Sequence, residues 1–411
     1  MSCADRTRED TRPRIIERLI GPEHPARIVW EFVEGLDLSL LYGQVKSVEG
    51  VAGRPAIDAK ILMAVWLYGI VYGETSARRL EELCNSHSAF IWLCGGVNIN
   101  HHTLSDFFVG NEQWLEEQFT YYVAVLMKEG LVDLSRVAQD GMRVRANAGA
   151  ASFRREKTLE ECLEDAKERV DAARKEREEN PAQTDKRKQA AQERATRERK
   201  KRVTEALRQL PEVKEKKKEQ DKEKARVSTT DPDTRVMKMA DGGFRPAFNA
   251  QIATDTDSQI IAQVEVVNEG SDQGQLSSMM DRIEGSYGKY PDESLVDGGF
   301  NKQEEIETCT AKGITVYAPV PKPKDKNRNP YEPMPKDSEA VANWRKRMGT
   351  DEAKEIYKQR ASTAECVNAI ARNRGLWQFT VRGLRKVKTV LVWFALAHNV
   401  MRAASLRLKA A

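Results

Sequence analysis

The sequence predicts an α/β protein: a mixed sheet with flanking helices, preceded by an all-helical N-terminal domain and interrupted by a helical, coiled-coil-like insertion. Three observations predict this. Residues 22–130 carry apolar positions at helical spacing, and from about residue 240 strand and helix signals alternate. Between them, residues 151–230 form a low-complexity block in which 44 of 80 residues are charged. The expected boundaries are a tail at 1–21, a helical domain at 22–130, a sheet domain at 131–150 and 236–405, and an insertion at 151–235.

In the helical zone, "RPAIDAKILMAVWLYGIVYG" opens with Pro55, a residue suited to a first helical turn. "ETSARRLEELCNS" offers Thr75 or Ser76 as a cap. "HHTLSDFFVGNEQWLEEQFTYYVAVLMKEG" keeps helical spacing until Gly130. Serial short helices could house a helix-turn-helix, with Thr103 to Phe108 starting a reading helix. A plain helical bundle is the other reading. The insertion repeats Leu159, Leu163, Ala166, Val170 and Ala173 in a coiled-coil seam, and Val203, Leu207 and Leu210 resume it before Pro211. Two helices folded back at Asn180–Pro181 fit this pattern. Disorder competes, because the second half has little to bury.

Beyond residue 240, "RPAFNAQIATD" and "QIIAQVEVVN" read as strands paired around Thr256–Asp257–Ser258. "DQGQLSSMMDRIEGSYG" reads as a helix and "ESLVDGG" as a short buried strand. The next helix is expected to be capped by Asn301, with Glu304 completing a capping box, and to end at Gly313 before the strand "ITVYAPV".

Composition narrows the function classes. The 411 residues exceed what one core usually serves. Six scattered cysteines without a C-x-x-C pair argue against a disulfide framework or a zinc site. The start "MSCADRTREDTRPR" has no apolar segment of a signal peptide, and "ILMAVWLYGIVYG" falls short of a membrane span. These features lead us to expect a soluble intracellular protein with no membrane partner. Net charge is only +4, but residues 341–411 hold 15 basic against 4 acidic residues, a surface suited to a polyanion. A solvated helical face is the bland alternative. The five histidines, His24, His87, His101, His102 and His398, sit in no nucleophile context, and no G-x-S-x-G occurs. No P-loop occurs either, so no ATP use is expected.

Two aspartates carry the functional question. In "LSRVAQDGMRVRANAG", Asp140–Gly141 between apolar residues is a strong hairpin signal. If 136–145 is instead one strand, Ala138, Asp140, Met142 and Val144 share a face, and a carboxylate there needs a compensating cation. Asp297 ends a short strand just before a helix, where ligands of open α/β sheets gather. On the predicted helix 351–375, Ala361, Glu365, Asn368 and Arg372 form one stripe beside an inner stripe of Ile356, Thr363, Val367 and Ile370. Glu365 could thus face the sheet edge. An ordinary surface glutamate paired with Arg372 or Arg360 is the other reading.

"AQDGMRVRANAG", "FNAQIATDTDSQIIAQVEVVNEGSDQGQL", "LVDGGF" and "YKQRASTAECVNAIARNRG…RGLRKV…LAHNVMR" together resemble the DDE transposases of bacterial insertion sequences. The nearest branch has an InsH-type helical N-terminal domain and a charged insertion after the first catalytic strand. The resemblance spans about residues 20–405, with the insertion matched only in character. It implies an RNase H-like core whose acidic triad falls on Asp140, Asp297 and Glu365. The family's Tyr–Arg–Glu–Lys helix signature falls on Tyr357, Arg360, Glu365 and Arg372, with arginine where lysine is usual. Phe248 stands where tyrosine is common before Asn249–Ala250–Gln251, and Cys366 follows Glu365 where proline is common.

The implied chemistry is phosphodiester cleavage and strand joining. Two Mg²⁺ ions about 3.5–4 Å apart, with Mn²⁺ as a substitute, would activate water and stabilise the leaving oxygen. On this expectation Asp140 bridges both ions, Asp297 holds one and Glu365 the other. Tyr357, Arg360 and Arg372 are candidate phosphate contacts, extended by Arg382, Arg385, Lys386 and Lys388. The expected partners are double-stranded DNA, as element ends and target, and further copies of the chain in a homodimer or larger assembly. Two alternatives are an RNase H-like metal-dependent nuclease without strand transfer, and a catalytically inactive DNA-binding protein.

Overall fold

The apolar spacing of the first hundred residues is met by short helices. The computed structural model describes residues 15–44, 56–179, 186–323 and 327–410. The early helices are α1 (Pro25–Glu34), α2 (Ser39–Gly43), α3 (Ala59–Tyr72), α4 (Ala77–Ser86), α5 (Ser88–Cys94) and α6 (His101–Gly110). Their starts follow capping chemistry. Asp58 accepts from the Lys60 amide at α3, Ser76 from Arg79 at α4 and Asn100 from Thr103 at α6. Asp58 thus opens α3; Pro55 lies outside the described residues. Helix α3 is buried continuously from Leu62 to Ile70, so it forms the middle of its unit rather than a face of it. A Cβ at Gly69 would stand 2.8 Å from Leu80 Cδ2, which explains a glycine inside a helix. Trp66 stacks on Phe108 at 3.9 Å between centroids and donates to the Leu104 carbonyl at 2.9 Å. Leu104 and Phe108 of the expected reading helix are therefore core residues.

The chain divides into two compact units, Met1–Asn111 with Leu396–Ala411, and Glu112–Ala395. The second begins with α7 (Glu112–Lys128); the single helix expected over 101–130 breaks at Asn111. Then come β1 (Arg136–Arg145), β2 (Phe153–Arg154), α8 (Glu156–Glu179), α9 (Lys186–Glu215) and β3 (Val227–Ser228). Strands β4 (Arg235–Lys238), β5 (Phe244–Asp255) and β6 (Ile261–Val267) lead to α10 (Leu276–Tyr287) and β7 (Glu293–Leu295). The chain continues with α11 (Gln303–Ala311), β8 (Thr315–Tyr317), α12 (Glu339–Met348), α13 (Asp351–Arg360), α14 (Cys366–Asn373) and α15 (Leu384–Ala410).

The sheet runs β4-β5-β1-β7-β8, with β6 also paired to β5. Strand β5 is antiparallel to β1 and β6, whereas β7 and β8 run parallel to β1. This mixed sheet with helices is of the RNase H-like kind. Strand β1 pairs with β5 without interruption from Val137 to Arg145, so Asp140–Gly141 is no hairpin turn. The expected β5–β6 pairing around Thr256–Ser258 is present.

Three local expectations need correction. Asn301 does not cap α11; the cap position is Lys302, and the Asn301 amide donates to the Pro319 carbonyl instead. Helix α9 continues through Pro211 to Glu215. The helix expected over 351–375 is broken by a π-helical turn at Ala361–Glu365, and such turns concentrate at functional sites.

The insertion is an antiparallel helical hairpin: Lys214 pairs with Glu156 at one end, and Arg199 with Asp165 further out. Its buried cluster, Leu159, Ala206, Leu210, Ala225 and Val227, lies near the clasp of β2 against β3. The bend expected at Asn180–Pro181 lies outside the described residues. Among the described residues one helix, Leu384–Lys409, is long and apolar enough to cross a membrane, but 72% of its apolar window is buried in the fold, as in a core helix. The described cysteines are all free thiols.

The return from the insertion fixes the start of α15. Gly383 donates its amide to both carboxylate oxygens of Asp231 at 3.2 Å, and Leu384 donates to Asp233 at 2.9 Å. Burial pushes the Asp231 carboxyl up to about 6, against the pull of the Gly383 amide. A raised carboxylate pKa makes the folded state hold the extra proton, so this group's contribution to stability falls as pH rises from about 4 to about 6. Asp231→Asn, which keeps a carbonyl oxygen for Gly383, should lose that slope, a difference of roughly 2–3 kcal/mol across the window. Urea unfolding of both proteins at several pH values checks it.

Candidate active site

The parallel pairing of β1 with β7 creates the site. Arg136 stands opposite Glu293, Val137 opposite Ser294 and Ala138 opposite Leu295. Carried two residues further, the same register sets Asp297 against Asp140. Asp140 stays within a strand, its side chain 15% exposed. Asp297 has left β7 and opens a short 3₁₀ turn, where its Oδ1 accepts from the Gly299 amide at 2.7 Å. That hydrogen bond fixes the carboxylate at the strand's carboxyl end.

Glu365 arrives from the π-helical turn. In a regular helix Arg360 would sit over Ala364; the wider turn brings Glu365 to it. Arg360 donates from Nη1 to Glu365 Oε1 at 3.1 Å, while its Nη2 lies 3.1 Å from Asp140 Oδ1 and 3.9 Å from Asp297 Oδ2. One guanidinium therefore stands among all three predicted acids. Its side chain is 10% exposed, against 40% for Asp297 and 60% for Glu365. The second Asp140 oxygen accepts from the Asn368 amide at 2.9 Å.

The electrostatics follow this geometry. Burial raises the Asp140 pKa, Arg360 opposes the rise, and the neighbouring Asp297 and Asp272 add to it. Burial works to lower the Arg360 pKa, but Asp140 and its neighbours outweigh it, so the guanidinium is held charged. Tyr357, half-buried beside the same groups, is raised, mainly by burial.

The oxygens paired with Arg360 are all carboxylate oxygens, the set a hard divalent ion prefers. Among the described residues, however, no three acid, imidazole or thiol side chains are drawn tightly enough together to hold an ion as they stand. The cation they share is Arg360.

A fourth acid, Asp272, went unnoticed in the sequence. It is buried in the loop before α10, where its Oδ1 accepts from Asn249 and Gln251 at 2.7 Å and its Oδ2 from Arg143 at 2.8 Å. Gln139 adds a 2.9 Å bond to Gln251. The network lies against Gly141. A Cβ there would overlap Asp272 Oδ1 and stand 2.5 Å from Gln251 Nε2 and 2.9 Å from Asn249 Oδ1. Gly141 is thus required for space, not for a turn. The only sequence signal was the polar Asn249–Ala250–Gln251 inside an otherwise apolar strand.

The other predicted contacts divide. Tyr357 and Arg360 are at the acids. Arg372 is half-buried one turn beyond Asn368 and pairs with none of the three. Arg382 is exposed and donates to the Asn147 carbonyl. Arg385, paired with Glu112, and Lys386 are exposed. Lys388 is the least open of the basic run. It is 22% exposed and pairs with Glu116 at 2.9 Å and Glu265 at 3.7 Å, so its charge is answered within the fold. Gly141→Ala should destabilise the protein by about 1–3 kcal/mol through overpacking, read as a lower denaturation midpoint.

Residues 14–109 match the family described as transposase domain (DUF772), and residues 307–404 match the transposase DDE domain. Of the three acids, Glu365 lies inside the second match. Comparison with curated proteins and with solved structures gives no match. With a transposase domain matched over its helical first unit and a transposase DDE domain matched over residues 307–404, the chain is consistent with a DDE transposase of the insertion-sequence type.

Proposed function

We propose that the protein cuts DNA at the ends of an insertion sequence and joins the freed 3′-hydroxyl to target DNA, with Asp140, Asp297 and Glu365 as the catalytic carboxylates. The observation that carries this reading is the convergence of all three on one guanidinium. Acids that are far apart in sequence and share a single cation form a cation site by construction.

Asp140, Asp297 and Glu365 would hold two Mg²⁺ ions, or Mn²⁺ in their place, and Asn368 and the Gly299 amide would aim the first two carboxylates. When bound, such ions supply an activated water and stabilise the leaving oxygen. In cleavage, water attacks phosphorus at the element's end and the P–O3′ bond breaks, leaving a 3′-hydroxyl. In joining, that hydroxyl attacks a target phosphodiester, one P–O bond forming as another breaks. No covalent bond to the protein is needed.

Tyr357 and Arg372 flank the acids along the helical track, and Arg382, Arg385 and Lys386 continue it as exposed groups suited to phosphate. Arg360, paired with all three acids, would be the cation closest to a phosphate bound there. Lys388 is left out because of its internal pairs. Joining two ends calls for two copies of the site, so the working form is a dimer or larger, acting where the DNA is.

Asp140→Asn should abolish Mg²⁺-dependent cleavage of end-containing DNA while leaving its binding within about twofold. Cleavage that survives in this variant overturns the assignment; cut but never joined products would favour a nuclease. Arg382→Ala and Arg385→Ala should each weaken binding to all duplexes alike and reduce the slope of log affinity against log salt by about one. Fluorescence anisotropy across a salt series reads both effects.

A further inference from the structure

We propose that Arg360 is a built-in occupant of the metal site, and that DNA loads the metal by drawing this side chain onto a phosphate. The inference rests on the acid-centre reading above and goes beyond it by assigning an order of assembly.

Three carboxylates around one guanidinium leave a surplus of two negative charges, and the removal of Arg360 would leave three. Either state attracts a dication, but the first has its central position filled. Arg360 reaches all three acids through its two terminal nitrogens, at 3.1, 3.1 and 3.9 Å. Its Nε is buried without a hydrogen-bond partner. An unsatisfied buried donor carries a desolvation penalty, so this seat is not an ideal resting place. The π-helical turn matters here as well: it is what sets Glu365, rather than Ala364, over Arg360.

The guanidinium therefore has two competing homes. In this seat each acid offers Arg360 a single oxygen, whereas a phosphate can meet the planar fork with two at once. With DNA present, Arg360 can satisfy a phosphate while a divalent ion satisfies the acids. With either ligand alone, one set of charges is left short. The two ligands must then favour each other's binding, and by linkage each does so by the same factor. The consequence is a site that takes up metal more readily once DNA is seated.

The test measures binding, not turnover. Mn²⁺ affinity of the full-length protein is measured by the electron paramagnetic resonance of free Mn²⁺. It is read with and without duplex DNA copied from the sequence flanking the gene, with the Asp140→Asn protein on the same DNA as the blank. We expect DNA to tighten Mn²⁺ binding by about tenfold in the parent protein, a measurement that requires no variant at Arg360. Arg360→Gln should bind Mn²⁺ about tenfold tighter than the parent without DNA, and should lose most of the response to DNA. Arg360→Lys, which keeps the charge, should return toward the parent. Equal Mn²⁺ affinity in parent and Arg360→Gln, or a parent indifferent to DNA, overturns the proposal while the acid centre stands. Absence of any Mn²⁺ binding that Asp140→Asn removes overturns both.

Discussion

The parallel seam between β1 and β7 is the constraint on which the site depends. Three residue pairs set its register, and only that register places Asp297 beside Asp140. The seam is short, so its precision has to come from elsewhere. It comes from the opposite edge of β1, where an uninterrupted ladder with β5 from Val137 to Arg145 keeps the strand straight through the acid–glycine pair. A parallel pair also needs a crossover. Here β5, β6 and α10 intervene between β1 and β7, and the loop before α10 delivers Asp272 to the back of Gly141. The connection that makes the seam topologically feasible also supplies the polar packing beside it.

That packing explains how a strand can hold so many polar groups. Gln139, Asn249, Gln251 and Asp272 are all buried, and each would be costly alone. Joined to one another and to Arg143, they form a connected network whose charge is balanced. The triad is different in kind. Its three acids have one shared cation and unequal exposure, from the nearly buried Asp140 to the open Glu365. The first cluster is closed and structural; the second is open on one side and has charge to spare. The contrast in satisfaction separates the part that holds from the part proposed to react.

Much of this was legible in the sequence where a pattern had one cause. Strand alternation in 244–267 gave the β5–β6 pair, and the hydrophobic seam gave the helical insertion. The resemblance put Asp140, Asp297 and Glu365 in one site and the structure brings all three to Arg360, though the local signals were ambiguous. Asp140–Gly141 satisfies the chemistry of a hairpin as well as that of a strand, and only the β5 ladder decides between them. Other features could not be read because they arise from contacts distant in sequence. Asn301 is a fair helix cap by local rules, yet the Pro319 carbonyl claims its amide. Lys388 belongs to a basic run, yet Glu116 and Glu265 reach it from 272 and 123 residues away. Asp272 has no motif of its own. The π-helical turn is likewise silent in residue preference, since one extra residue per turn reflects the pull of Arg360's partners as much as helix propensity.

The insertion shows how a long charged arm can leave a sheet without disturbing its register. It departs after β1 and returns to β4, which joins the edge of β5 rather than the seam with β7. The β2–β3 clasp closes the departure point, and the buried apolar cluster gathers around that base. Asp231 and Asp233, just past the clasp, grip the start of α15. Strain generated along α8 and α9 therefore meets a clasp, a small core and a helix cap before it can reach Asp140. The arm is uneven in charge as well: α8 carries 10 acidic and 6 basic residues, and α9 carries 5 acidic and 11 basic. Pairs such as Arg199–Asp165 use some of α9's surplus, but the excess is too large for α8 to neutralise.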